Sequence, residues 1–220
     1  DAMVINDLNK LPGYGLIKNL PYPAAVFESD KTRLTIVLAN RFPLEEQTGT
    51  DLIYFNETFR SFVMVQYKAM EQENNENVFR LPNEQLTLEI DRMNSLRNEL
   101  MKCPASVEKD GFRLNDNPFY LKFCPRIVFN PDDTSLVRGM YIPLDYWNTL
   151  SKDSSIEGPR GGKIISYENI GRYFDNTEFV TMVAKAWIGT TSNQTDVLES
   201  LIRSTIQSGR TVAIGVKTDL

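Results

Sequence analysis

Thr50-Asp51-Leu52-Ile53-Tyr54-Phe55 and Phe62-Val63-Met64-Val65-Gln66-Tyr67-Lys68 are the stretches whose reading decides the fold. Both are short and rich in β-branched and aromatic residues, the composition of strands. Strand side chains alternate, so Gln66 and Lys68 project from the face that carries Phe62 and Met64, while Val63, Val65 and Tyr67 point the other way. The intervening Asn56-Glu57-Thr58-Phe59-Arg60-Ser61 reads as a hairpin connection. If its four central residues form the loop, Asn56 faces Ser61 and the register carries Asp51 opposite Gln66. A carboxylate, an amide oxygen and an ammonium then meet at one end of an otherwise apolar strand face.

A divalent cation takes oxygen ligands of this kind, and a nearby lysine can hold an attacking water and balance charge on a phosphoryl transition state. The order of an Asp, a hairpin and then Gln-x-Lys at the end of an apolar strand resembles the core of the PD-(D/E)XK nuclease superfamily. With Val65-Gln66-Tyr67-Lys68 after Gly49-Thr50-Asp51, it is similar to the glutamine variant found in Mrr-type restriction endonuclease catalytic domains. The resemblance covers residues 45 to 70 and extends to the helix and strand that follow.

It implies a mixed α/β fold of the restriction-endonuclease-like kind: a central mixed sheet flanked by helices, with a helical C-terminal extension. It also implies hydrolysis of phosphodiester bonds in DNA, with RNA left open, in a restriction or anti-phage setting. Asp51 and Gln66 would hold Mg²⁺ or Mn²⁺, with the Tyr67 backbone carbonyl as a further ligand, and Lys68 would serve the hydrolytic water. Because glutamine brings an oxygen but no charge, a second acid is expected, and Glu28, Glu45 and Glu46 are the candidates. Glu45 is the choice among them; each also reads as a surface acid in a turn. The competing reading keeps the fold without the catalysis, as a module that binds nucleic acid or a protein partner.

Composition narrows the chemistry further. The chain has 220 residues and no histidine, which removes Ser-His-Asp and Cys-His catalysis and histidine-based zinc sites. Its two cysteines, Cys103 and Cys124, make neither a disulfide framework nor a zinc site. A net charge of −5 disfavours indiscriminate nucleic-acid binding, so a local basic groove would have to do that work. No apolar run reaches the length of a membrane span, and a cytoplasmic location follows by default. The start at Asp1 reads as either an expression remnant or a fragment, leaving room for further domains or a homo-oligomer.

The length suits a single domain, with its core over about 26–130 and an extension over about 131–220. Residues 1–25 read as loop and short extended pieces around Pro12-Gly13 and Pro21-Tyr22-Pro23. The segment from Ser29 to Arg41 leans towards helix, although Thr35-Ile36-Val37 also suits a strand. Residues 71–77 read as a solvated loop. Asn83 caps a helix with an apolar stripe of Leu86, Ile90, Met93, Leu96 and Leu100, its charges forming a solvated face.

Phe119 to Cys124 is a strand able to lie beside the Gln-x-Lys strand through a helical crossover, with Lys122 exposed or near the groove. Tyr141 to Trp147 supplies aromatics read as core. Residues 151–163 form a long loop whose Gly158-Pro159-Arg160-Gly161-Gly162-Lys163 fails the Walker spacing and is followed by Ile164, so nucleotide hydrolysis is rejected. Helices over about 177–187 and 195–209 follow, the second with Val197, Leu198, Leu201, Ile202 and Ile206 on its apolar face. A last strand runs from Thr211 to Lys217.

Overall fold

The computed structural model describes residues 2–8, 15–19, 24–29, 31–39, 43–106, 108–127, 135–158 and 161–208. The fold grows from the predicted hairpin: β4 (Leu52–Asn56) and β5 (Ser61–Glu73) pair antiparallel, with Asn56 opposite Ser61 and Leu52 opposite Val65. The loop is Glu57 to Arg60. It is closed by the Asn56 side chain, which accepts a hydrogen bond from the Phe59 amide at 3.1 Å.

Next to β4 lies β3 (Arg33–Leu38), then β2 (Ala24–Glu28) and β1 (Gly15–Asn19), all antiparallel. On the other side of β5 runs β7 (Phe119–Pro125), parallel to it, and then β8 (Met140–Pro143). The far end of β5 turns into β6 (Glu76–Leu81), which pairs with β9 (Lys163–Ser166). The result is a nine-stranded mixed sheet.

Helices cover both faces because β5 buries both of its side-chain rows. Val63, Val65 and Tyr67 pack with α1 (Ala2–Leu8) and α5 (Asn176–Ala184). Phe62, Met64 and Met70 pack with α2 (Pro43–Thr48), α3 (Glu84–Leu100), α4 (Leu144–Leu150) and α6 (Ser192–Ser208). α3 is the crossover between the parallel strands β5 and β7. Its start is set by Asn83, whose side chain accepts from the Leu86 amide at 2.8 Å. No helix among the described residues is long and apolar enough to cross a membrane.

Several expectations are corrected. Residues 33–38 form β3 and not a helix: Leu34 and Ile36 face the core, and the β-branched Thr35-Ile36-Val37 fits a pleated surface. Residues 71–77 form a hairpin, because Asn74 and Asn75 take positive φ of 46° and 67°, the backbone of a two-residue primed turn. The N-terminal stretch includes a helix, α1, fastened by its buried Asp7.

The 151–163 loop contains a short 3₁₀ turn, Ser154–Ile156, and its Lys163 already belongs to β9. The C-terminal extension contributes two strands to the sheet as well as helices. Val197 is exposed, whereas Leu198 of the same helix is buried. The strand expected over 211–217 lies outside the described residues.

Candidate functional site

Asp51 precedes β4, and its amide donates to the Val65 carbonyl at 2.9 Å, extending the hairpin ladder by one step. Its carboxylate oxygen Oδ2 accepts the Tyr67 amide at 2.8 Å. Asp51 shares the face of Ile53, and Gln66 and Lys68 share that of Phe62 and Met64, so all three face the α3 side of the sheet. A cleft of about 520 Å³ opens there, lined by Glu45, Asp51, Gln66, Lys68 and Glu89, with Arg80 and Arg126 also in its wall. The predicted trio and the chosen acid Glu45 are thus brought together. Glu28 and Glu46 are exposed and do not line the cleft.

Glu89 is the residue that sequence reasoning missed. It lies on α3 with 1% of its surface exposed and pairs with the Lys68 ammonium at 2.5 Å. Its other oxygen accepts from the Gln85 amide nitrogen at 2.9 Å. Assigning the charges of α3 to a solvated face is corrected for Glu89, while Glu84, Asp91 and Glu99 are exposed as expected. The signal was available, since position 89 falls three after Leu86 and four before Met93, on the buried stripe.

Gly49 brings α3 close. Its φ of 70° suits glycine, and a Cβ there would stand 2.7 Å from the Glu89 carbonyl oxygen. Lys122, expected at the surface or near the groove, is fully buried on the opposite face. It pairs with Tyr67 in the parallel register, and its ammonium binds Asp7 of α1 at 2.5 Å.

The cleft is electrostatically unbalanced. Burial first, then the nearby Glu45 and Glu89 carboxylates, push the Asp51 carboxyl up to about 7, against the opposing Tyr67 hydrogen bond and Lys68. The Gln66 carbonyl oxygen Oε1 is buried with no hydrogen-bond partner, while its amide nitrogen reaches the Tyr67 carbonyl at 3.5 Å. A bound cation would relieve both features, so the donor set of Asp51, Gln66 and the Tyr67 carbonyl fits a hard divalent ion. Among the described residues no group of three or more histidine, cysteine, aspartate or glutamate side chains is arranged to hold a metal. Such an ion would therefore need water or substrate oxygens to complete its shell.

Fold and site define the class: an α/β protein with a central mixed sheet and an acidic, amide- and lysine-bearing cleft at the end of its central hairpin. Comparison with protein-family models, with curated proteins and with solved structures finds no match.

Proposed function

We propose that the chain is a metal-dependent nuclease domain that hydrolyses phosphodiester bonds in DNA, in a restriction or anti-phage role. The observation that carries this reading is the meeting of Asp51, Gln66 and Lys68 in one cleft, with an unpartnered amide oxygen and a carboxyl whose ionisation is suppressed by burial and by the neighbouring acids. Asp51 and Gln66 would hold Mg²⁺ or Mn²⁺, with the Tyr67 carbonyl beside them. When bound, the ion would supply Lewis-acid activation of a water and of a non-bridging phosphate oxygen.

Lys68 orients the attacking water and offsets the charge that builds on the phosphate. Glu89 positions Lys68 through their ion pair. Arg80 and Arg126, held at the cleft by Glu73 and Glu71, offer guanidinium groups to the flanking phosphates. A cytoplasmic setting suits Cys103 and Cys124, which are both free thiols.

The tight Lys68–Glu89 pair favours a second reading, in which the fold binds nucleic acid or a protein without cutting. Plasmid cleavage with Mg²⁺ or Mn²⁺, run on the parent, Asp51→Ala and Lys68→Ala, separates the two. Cleavage that needs metal and is lost in both variants supports the nuclease. A parent that neither binds metal nor cuts sinks it.

A further inference from the structure

A second cavity, of about 1000 Å³, opens beside the β4–β5 loop and shares no residue with the acidic cleft. Along β5 the two are separated by the five steps from Ser61, at the loop end, to Gln66, the first cleft residue on the strand, about 17 Å. We propose that this cavity binds a nucleoside polyphosphate.

The first observation is charge. Most basic side chains of the described residues are engaged in ion pairs, hydrogen bonds or ring contacts. Lys31, Arg92, Lys109, Lys152 and Lys185 make no such contact, and three of them, Lys31, Lys109 and Lys185, line this one cavity. All three are exposed. Glu108 and Asp110 are the acids in its wall, fewer than the four cations present once Arg113 is included. A local cationic excess on a chain of net charge −5 calls for an anion.

The second observation is a pair of solvent-facing rings. Phe112 and Trp187 are 56% and 41% exposed and stand edge to face at 6.2 Å, both on the cavity wall. Ala186 takes a left-handed backbone with φ of 50° just after α5, and Trp187 follows it out of the helix. Exposed aromatic faces beside ammonium groups suit a base and its phosphates.

The third observation is rigidity. Arg113 is buried in the floor and donates to the carbonyls of Phe59, Asp110, Phe112 and Thr190 at 2.8 to 3.0 Å. That ties the hairpin loop, the 3₁₀ turn Lys109–Gly111 and the segment after α5 into one preformed wall, leaving the three lysines as the adaptable cations. A compact pocket with several ammonium groups fits a free nucleotide carrying more than one phosphate better than a strand, whose phosphates would need a groove.

The test is calorimetric titration of the full chain with ATP in EDTA, so that the acidic cleft plays no part. Parallel titrations use AMP and hexadeoxythymidylate. ATP is expected to bind at least tenfold more tightly than AMP. The double variant Lys109→Glu/Lys185→Glu, which changes only exposed side chains, is expected to weaken ATP at least tenfold, and Trp187→Ala at least fivefold. Lys152→Glu, an unpaired lysine elsewhere, is expected to leave binding unchanged. Absence of ATP binding at millimolar concentration, indifference to the double reversal, or binding of the oligonucleotide alone would each overturn the proposal. Because metal and cleavage are absent from the readout, failure here leaves the nuclease reading standing, and the reverse also holds.

Discussion

Asp51→Asn should make the protein more stable in mildly alkaline buffer and leave it little changed in acid. The folded chain holds the Asp51 proton up to a pH of about 7, whereas the ordinary value is 3.8. A carboxyl whose folded value is raised destabilises the fold as it ionises. The loss begins as pH rises past the unfolded value and is complete above the folded one. The span between 3.8 and about 7, at 1.36 kcal/mol per pH unit, amounts to about 4 kcal/mol at most, with about 3 kcal/mol of it falling between pH 5 and pH 8.

Asparagine keeps an oxygen for the Tyr67 amide and carries no charge, so it removes this loss. The assay is urea unfolding of parent and variant at intervals from pH 4 to pH 8. Other titrating groups cancel in the difference between the two chains. Saturating Mn²⁺ at pH 8 should recover part of the parent's deficit, about 2.7 kcal/mol at one hundred times the dissociation constant, and none in the variant. A parent–variant difference that stays flat with pH would refute the electrostatic account of the cleft.

Lys68→Ala should lower stability by about 3–5 kcal/mol, because it strands the Glu89 carboxylate in a nearly closed site. Lys68→Met combined with Glu89→Leu should recover more than half of that in denaturant titrations, and no recovery would show that the pair is not the cause. Asp7→Asn should cost a comparable amount, since Asp7 also accepts from the Tyr67 hydroxyl at 3.0 Å and the Val137 amide at 2.8 Å. Hydrogen exchange should then report α1 loosening first, and unchanged protection in α1 would contradict its anchoring role.

The part of the site carried by the β4–β5 hairpin was legible because two strong local rules agree there: alternation assigns the faces, and the loop length fixes the register. Glu89 was legible in principle, but a glutamate on a helical stripe reads as solvated until a buried lysine across from it is known. Lys122 was not legible. Its burial depends on the parallel register that sets it beside Tyr67 and on a helix from the other end of the chain that supplies Asp7. The β5–β6 hairpin escaped notice because its turn is Asn74-Asn75 within a run of polar residues, which lacks the glycine that usually marks a primed turn. The Trp187 cavity draws its wall from segments far apart in the chain, so no local pattern announces it.

The two buried lysines show where this fold spends stability. Lys122 and Lys68 sit on neighbouring strands but face opposite sides of the sheet. Around Lys122 the charges answer one another: Asp7 accepts the ammonium, the Tyr67 hydroxyl and the Val137 amide, and the rings of Tyr67 and Tyr141 flank the charge at 5.1 and 4.6 Å. Around Lys68 they do not. Glu89 takes the ammonium, which leaves Asp51 without a cation of its own and the Gln66 oxygen without a donor. A sheet that matches a buried lysine with a carboxylate of its own on one face, yet leaves Asp51 and the Gln66 oxygen open on the other beside a cleft, carries a local conflict of the kind that accompanies function. That asymmetry, more than the short motif, is why the cleft is the place to look for a bound cation.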